Sequence, residues 1–263
     1  MSRLRPHWTL VLALGWLAFL LLPVTALVTH TPWGHFRLAS GDVAALRTSL
    51  VYTAVAMVIV VAFGTPLAWV LARRRFRGRA WVEGLLLVPL LTPPLALGIL
   101  LTTLYGPYGW LGGWFAGLGL SLTNTAPAFV LAQVYASAPY YVVGARAAIE
   151  GVSPELEQLG RTLGDSPWQV FRRVTLPLSW LGLAAALSIA WVRALGEFGV
   201  VLVMAYYPQG IPVKLWVNLQ DFGLPSVYPL LWLFFLVGLP LPLLLGLLAW
   251  RRRPQARPDV AGI

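Results

Sequence analysis

Two ionisable residues, Arg193 and Glu197, lie near the middle of a long apolar stretch of the sequence. A charged side chain at the centre of a membrane span costs at least about 2.5 kcal/mol, so neither group is expected to face lipid. Residues four apart share one helix face, so each can neutralise the other. Gly196 and Gly199 would let a second helix approach that face closely. The pair could line a polar path, hold helices or protomers together, or act catalytically in a membrane enzyme.

The rest of the sequence offers little further reactive chemistry. The chain has no cysteine, which excludes disulfides, thiolate metal sites and a cysteine nucleophile. Its histidines, His7, His30 and His35, lack the spacing of metal ligands. No glycine-rich loop is followed by Lys and then Ser or Thr, as a phosphate-binding ATP site would require. We therefore predict no metal site, no cofactor and no ATP site in this chain, and outside the pair we assign no catalytic residue.

The composition indicates the class of protein that holds the pair. Of the 263 residues, 59% are hydrophobic and only 11% are charged, and the mean hydropathy is +0.76. A helix that crosses the hydrocarbon core needs about 20 mostly apolar residues. The sequence predicts an all-α integral membrane protein with six transmembrane helices in a single domain, residues 1–263. The expected spans are 8–29, 48–72, 81–105, 125–145, 179–206 and 227–250.

The basic residues predict which ends of the spans face the cytoplasm, because short translocated loops avoid Lys and Arg. Fifteen of the nineteen fall on one side, and only Arg37, Arg47 and Lys214 fall opposite. Both termini are therefore predicted to be cytoplasmic, and the net charge of +10 requires no nucleic acid partner. The fifteen are Arg3, Arg5, Arg73, Arg74, Arg75, Arg77, Arg79, Arg146, Arg161, Arg172, Arg173, Arg251, Arg252, Arg253 and Arg257.

The first apolar run could instead be a signal peptide, since two arginines precede it. It is longer than the usual apolar region of about 7 to 15 residues, and no small-x-small cleavage site closes it. We therefore expect the first span to be retained.

The one long polar loop, residues 146–178, predicts two short helices. A serine followed by proline marks the start of each, at Ser153 and Ser166, and Gly164 is placed to end the first in a left-handed cap. The second helix is expected to end at Leu176-Pro177, at the membrane surface. The corner between the helices carries apolar side chains that the spans cannot cover, so a partner is expected to dock there. The alternative is an amphipathic loop lying on the bilayer.

This loop resembles a motif of the membrane subunits of bacterial ATP-binding-cassette (ABC) importers: Glu-Ala-Ala, three residues, Gly, nine residues and Ile-x-Leu-Pro. Gly164 is followed by nine residues and then by Val174-Thr175-Leu176-Pro177. Gln158-Leu159-Gly160 replaces Glu-Ala-Ala, and Glu157 supplies an acid one place early. The resemblance implies a type I importer-like transmembrane domain whose loop seats on an ATPase subunit. The residues that it assigns to this coupling are Glu157, Gln158, Leu159, Gly160, Leu163, Gly164, Asp165, Ser166, Trp168, Leu176 and Pro177.

A second segment narrows the resemblance to one branch. Residues 193–199, Arg-Ala-Leu-Gly-Glu-Phe-Gly, together with the segments 156–158 and 161–164, are similar to the permeases for molybdate and tungstate, and sulfate permeases carry a similar segment. The resemblance implies a permease subunit in the inner (cytoplasmic) membrane that translocates an oxyanion, molybdate or tungstate first and sulfate as the chief alternative. Its translocation path or gate would include Arg193, Gly196, Glu197 and Gly199.

The same resemblance implies partners: two copies of an ABC ATPase subunit, an extracytoplasmic oxyanion-binding protein, a second copy of this chain and the lipid bilayer. ATP hydrolysis would belong to the ATPase subunit, so this chain is expected not to be an enzyme. Two other classes stay open at this point. One is a secondary transporter driven by protonation of Glu197, and the other is an integral-membrane enzyme that uses Arg193 and Glu197.

Overall fold

The computed structural model describes the backbone of residues 6–251 and the side chains of residues 8–248, and its regular structure there is helical. The basic residues whose side chains lie outside the described residues are Arg3, Arg5, Arg251, Arg252, Arg253 and Arg257. The helices are α1 (Pro6–His30), α2 (Asp42–Arg73), α3 (Arg79–Leu91), α4 (Pro94–Tyr105), α5 (Trp110–Gly117), α6 (Ala126–Glu150), α7 (Pro154–Thr162), α8 (Pro167–Val170), α9 (Leu176–Leu195), α10 (Gly199–Met204), α11 (Ile211–Phe222), α12 (Val227–Gly238) and α13 (Pro240–Arg251).

The long apolar helices confirm the predicted all-α membrane fold. Within the described residues, five helical stretches are long and apolar enough to cross a membrane, or six if the bent pair α3–α4 is one span. The first of them, α1, makes few contacts with the rest of the chain, since only 6% of its most apolar window is buried. The remaining spans form the bundle that holds the functional residues.

The third expected span, 81–105, is not one straight helix. α3 ends at Leu91, α4 begins at Pro94, and their axes differ by 111°. Pro93 and Pro94 explain the break, because proline lacks an N–H and keeps the residue before it out of the helical region. The bend turns α4 towards α10, where one of the predicted functional glycines lies.

The fifth expected span, 179–206, begins earlier and is broken. A π-helical turn, Phe171–Thr175, joins α8 to α9, so one helical stretch runs from Pro167 to Leu195. The expected helix end at Leu176-Pro177 is therefore wrong. Pro177 lies in the first turn of α9, where the wider π turn before it accommodates the missing backbone donor. The chain then leaves the helix at Gly196 and re-enters it at Gly199.

The centre of the bundle is formed by α2, α6 and α9, which pack through small residues. A Cβ atom at Gly182 would lie 2.5 Å from the Cβ of Ala148, and one at Gly144 would lie 2.8 Å from that of Ala186. Backbones that approach this closely gain van der Waals contact and exclude larger side chains. These three helices therefore form a closely packed frame. The break in the helix lies at the end of α9, after Leu195, and the polar loop connects α6 to α9.

Candidate functional site

The break between α9 and α10 is stabilised by the side chain of Glu197. Its carboxylate oxygen Oε1 accepts a hydrogen bond of 2.8 Å from the backbone N–H of Val200, one of the donors that a helix start leaves free. An acid at this position also interacts favourably with the positive end of the short helix. Glu197 is only 2% exposed. The buried carboxylate is therefore part of the structure of the break.

Arg193 and Glu197 form the ion pair that their spacing predicts. Nη1 of Arg193 donates to Oε2 of Glu197, across one turn of the helix. The Arg193 side chain keeps 28% of its surface exposed, and its guanidinium carbon lies 5.7 Å from the centre of the Tyr140 ring. The carboxylate of Glu197 thus has two donors inside the protein, while the Arg193 side chain stays partly exposed.

A buried amide cross-links the helices beside this pair. Nε2 of Gln133 donates to Oγ1 of Thr53 at 2.8 Å and to the carbonyl oxygen of Ala194 at 3.1 Å. The carbonyl oxygen of Ala194 also accepts from the Glu197 N–H at 3.1 Å, so Gln133 adds a second donor at the end of α9. Thr53 was not predicted from the sequence, because a threonine inside an apolar stretch carries no local signal of its partner.

The two predicted glycines of this site have different environments. A Cβ atom at Gly199 would lie 2.7 Å from the Cβ of Pro94 and 3.0 Å from the backbone nitrogen of Leu95. The expected close approach of a second helix therefore occurs at Gly199, and α4 is that helix. Gly196 is exposed at the break, where the nearest atom to an added Cβ is the carbonyl oxygen of Val192 in the preceding helical turn.

The corner of the polar loop, from Gly164 to Gln169, folds as its local signals predict. Gly164 adopts φ +94°, and the bonds Gly164 N–H to Arg161 C=O and Asp165 N–H to Gly160 C=O close a Schellman motif after α7. Ser166 and Gln169 then form a capping box: the Ser166 N–H donates to the Gln169 side chain at 2.7 Å, and the Gln169 N–H to the Ser166 hydroxyl. The corner between α7 and α8 is therefore fixed by the sequence of the loop itself.

The first turn of α7 carries a charged acid. The Ser153 hydroxyl donates to the Glu155 carboxylate, and this bond together with the backbone N–H of Glu155 lowers the pKa of that carboxyl below its ordinary value. Its negative charge faces the positive end of the α7 dipole.

Glu157, two residues further on, is buried and faces the chain's own interior. Nε of Arg73 donates to both of its carboxylate oxygens, at 3.0 and 3.1 Å, and the Thr175 hydroxyl donates to Oε1 at 2.7 Å. The same arginine also donates to the carbonyl oxygens of Ile149 and Val152, each at 2.8 Å. α7 is thereby fastened to the ends of α2 and α6 and to the π turn before α9. No local sequence signal identified Arg73 as the partner of Glu157.

The other predicted coupling residues divide into an inner and an outer set. Gly160 is buried, and a Cβ there would lie 3.3 Å from Cγ2 of Val170. Asp165 is half-buried and pairs with Arg173 at 2.7 Å. Leu163 and Trp168 are 80% and 68% exposed. The predicted coupling residues that are exposed are Gln158, Leu159, Leu163, Gly164, Ser166, Trp168, Leu176 and Pro177.

A large cavity next to the corner does not suit an anion. It has a volume of about 950 Å³ and lies between α2, α9 and α13, with Trp168 and Phe171 of the corner in its wall. Its lining is almost wholly apolar, and the hydroxyls of Thr65 and Tyr141 bond to each other at 2.7 Å. The pair at the helix break therefore remains the better candidate for a path that passes negative charge.

Together these features define a class of protein. The chain combines membrane-length helices, a helix broken around a buried ion pair, and a firmly anchored helical corner with apolar side chains exposed. Irregular backbone at membrane depth is tolerated where it is buried in protein or lines a cavity, and transporters place such broken helices at their paths. The fold and site are those of a membrane transport subunit.

The chain belongs to the family of binding-protein-dependent transport system inner membrane components, whose model matches residues 64–254. It is 39% identical over 239 residues to a probable molybdenum ABC transporter permease of Haloferax volcanii, covering 87% of this chain and 86% of that one. It is 34% identical over 209 residues to a molybdenum transport system permease of Mycobacterium tuberculosis, covering 78% and 79%. A sulfate transport system permease of Escherichia coli is 31% identical over 237 residues, covering 85% and 86%.

Solved structures agree on the fold. The chain matches a bacterial alginate ABC transporter in complex with its alginate pentasaccharide-bound periplasmic protein, with a TM-score of 0.73 at 18% identity over 93% of both chains. An amino acid ABC transporter matches with a TM-score of 0.58 at 20% identity, over 80% of this chain and 93% of that one. These findings confirm the predicted type I importer-like fold, the ABC importer permease family and the inner-membrane location.

Proposed function

We propose that this chain is the translocation subunit of an ATP-driven importer for molybdate or tungstate. The observation that carries the proposal is the 39% identity to the Haloferax volcanii molybdenum permease over 87% of this chain. The sulfate permease of Escherichia coli matches a similar share of the chain at 31% identity, which supports sulfate as the second candidate. The segment 193–199 is the part of the proposed path in which molybdate and sulfate permeases would be compared.

The energy for transport comes from a separate ATPase, two copies of which dock on the corner between α7 and α8. The sequence contains no glycine-rich loop followed by Lys and Ser or Thr, so the proposal assigns ATP hydrolysis to the partner subunit and the permease role to this chain. The exposed apolar side chains of Leu159, Leu163 and Trp168 supply the contact area that such docking requires. The Schellman turn at Gly164 holds them in place on the corner.

The anchoring of α7 supports the way in which docking moves the membrane helices. Glu157 joins α7 to Arg73 at the end of α2 and to Thr175 in the π turn before α9. When the corner moves, α2 and α9 therefore move with it, because these bonds connect them to α7 directly. Glu157 and Gly160 serve coupling from inside the chain, whereas the exposed residues of the corner meet the ATPase.

The charges at the break in α9 support passage of an anion with weak binding. The negative charge of Glu197 is taken up by Arg193 and by the N–H of Val200, which reduces its repulsion of a dianion. The Arg193 side chain is partly exposed, and its guanidinium carries further N–H donors of the kind that suit an oxyanion. The substrate is delivered by an extracytoplasmic binding protein, and a second copy of the chain completes the path.

The proposal is tested by reconstituting the chain with its ATPase subunit in proteoliposomes and adding the purified oxyanion-binding protein with molybdate, tungstate or sulfate. Uptake of the metal oxyanion, with ATP hydrolysis stimulated by the loaded binding protein, is the expected result. Stimulation by sulfate alone would replace the proposed substrate by the second candidate. Uptake that follows a proton gradient with no ATPase present would overturn the proposal in favour of a secondary transporter.

A further inference from the structure

The turn between α2 and α3 carries three arginines without an acidic partner. Arg74, Arg75 and Arg77, called here the basic turn, are exposed, and none of them forms an ion pair among the described residues. The arginines on either side differ. Arg73 pairs with the buried Glu157, and Arg79 pairs with Glu83 at 2.7 Å. Among the described residues, the three positive charges of this turn are thus not balanced by an acid, which leaves them open to an anionic group from outside.

Aromatic and apolar side chains place the basic turn at the boundary of the bilayer. α2 is a membrane-length helix that ends directly before it. On α3, Trp81, Leu85 and Val88 follow at spacings of four and three, so they share one helix face, and all three are exposed. A stripe that begins with an almost fully exposed tryptophan is typical of a helix in the membrane interface.

Two aromatic rings lie among the arginines themselves. The Arg74 guanidinium carbon lies 5.7 Å from the centre of the Trp69 ring, so a cation–π contact holds the Arg74 side chain against the end of α2. Phe76, between Arg75 and Arg77, is 40% exposed. Aromatic rings settle at the level of the lipid headgroups, and guanidinium groups bind phosphate through paired N–H donors. A soluble partner would leave these apolar groups at the membrane boundary unexplained.

We propose that the basic turn binds the phosphate headgroups of anionic phospholipids, with Trp81 and the exposed face of α3 resting on their acyl chains. Basic clusters next to a membrane span attract anionic lipid, and each arginine near the surface strengthens the attraction about fivefold. The site would hold the elbow between α2 and α3 against the bilayer, next to the Arg73–Glu157 anchor of the coupling corner. Anionic lipid would then stabilise the position of α2 from which the corner is held.

The test uses the full chain together with its ATPase subunit in nanodiscs of phosphatidylcholine containing phosphatidylglycerol as a minor component. After gentle detergent extraction, the phosphatidylglycerol that stays bound is measured by mass spectrometry. Wild type is expected to enrich phosphatidylglycerol over its bulk fraction and to lose the enrichment at high salt. The triple variant Arg74→Gln, Arg75→Gln, Arg77→Gln should lose most of it. The matched control Arg37→Gln, Arg47→Gln, which neutralises two exposed arginines at the other end of the spans, should retain it.

Two outcomes would overturn the proposal. One is a wild-type complex that shows no enrichment of phosphatidylglycerol, a measurement that stands even if the triple variant fails to insert. The other is a triple variant that retains the lipid as well as wild type does. If that variant also no longer co-purified with the ATPase, the basic turn would be assigned to protein docking.

Discussion

Arg73 and Glu157 are 84 positions apart in the sequence, yet Nε of Arg73 lies 3.0 and 3.1 Å from the two carboxylate oxygens of Glu157. Because this guanidinium also donates to the carbonyl oxygens of Ile149 and Val152, one side chain connects α2, α6 and α7. The pair is largely buried, with 12% and 5% of the two side chains exposed. The polar corner is therefore joined to the bundle by a bond network and not by chain connectivity alone.

Replacing Glu157 by glutamine is expected to destabilise the protein strongly. The substitution leaves the buried Arg73 without its counter-charge, and removing one partner of a buried ion pair typically costs about 3–5 kcal/mol. A clear fall in the thermal unfolding midpoint of the detergent-purified chain is the expected result. Loss of uptake in proteoliposomes should accompany it, because α7 would no longer move together with α2.

The neighbouring acid Glu155 supplies the matched control. It lies in the same turn but is exposed, and its partners are Ser153 and its own backbone. Glu155→Gln removes one solvent-exposed charge from the start of α7, so it should lower the stability of the chain far less than Glu157→Gln does. Equal losses of stability in the two variants would show that the Arg73–Glu157 network does not anchor the corner.

Replacing Gly164 by valine should separate folding from coupling. At φ +94° a β-branched residue is strained by roughly 1–2 kcal/mol, and relief of that strain would reorient the corner that carries Leu163 and Trp168. We expect the variant to insert in the membrane but to lose co-purification with the ATPase. The measurement is the amount of ATPase retained on the tagged chain after detergent extraction.

Gly119 provides a control with the same strain in another place. It has φ +77°, and a Cβ there, like one at Gly164, would meet nothing within 4 Å. Gly119→Val lies in the connection between α5 and α6, so it should carry a similar conformational cost and keep the ATPase. If both variants lost the ATPase, general destabilisation would account for the result and the coupling role of Gly164 would be withdrawn.

The corner could be predicted from the sequence because its determinants are local. A serine before proline starts each helix, and a glycine in the left-handed region ends the first, so each signal lies within a few residues of its effect. The sequence identified Glu157 as an acid in the loop, but it did not show in which direction the side chain points. Its side chain turns inward because Arg73, identified in the sequence only as one of several basic residues, approaches from another helix.

The helix breaks also depend partly on local signals and partly on contacts with other elements. Pro93 and Pro94 are an evident local signal for the 111° bend between α3 and α4, although the composition alone predicted one span. At Pro177 the prediction failed in the opposite way. The proline suggested the end of a helix, but it lies inside a continuous helical stretch. Whether a proline breaks a helix depends on the hydrogen bonding of the turn before it, and that is set by packing of the π turn against α7 and α9.

Replacing Gly199 by alanine should disturb the contact between α4 and α10. The added methyl group would lie 2.7 Å from Cβ of Pro94 and 3.0 Å from the backbone nitrogen of Leu95, so the helices must separate. Forcing an extra carbon into a packed contact costs about 1–3 kcal/mol. A lower thermal midpoint and reduced uptake are expected. Gly84→Ala is the control, because an added Cβ there meets nothing within 4 Å. Unchanged stability of Gly199→Ala would contradict the close packing.

Exchanging Arg193 and Glu197 is expected not to restore a wild-type protein, although it keeps both charges four residues apart. In the native chain Glu197 accepts a hydrogen bond from Val200 N–H as well as from Arg193, and an arginine at position 197 has no acceptor to offer. The buried N–H would lose its partner, at a cost of about 1–3 kcal/mol. The exchange variant should therefore unfold at a lower temperature than wild type and transport no oxyanion.

The double variant Arg193→Gln, Glu197→Gln distinguishes the cap from the charge. Glutamine at position 197 retains an oxygen that can accept from Val200 N–H, and no charge is left unbalanced in the apolar surroundings. This variant should be more stable than the exchange variant, yet it should still lose uptake, because the guanidinium proposed to offer donors to the oxyanion is gone. An exchange variant as stable and as active as wild type would mean that only the mutual neutralisation of the two charges matters. The break in α9 would then owe its shape to Gly196 and to the packing of α4 on α10, with no contribution from the Glu197 cap.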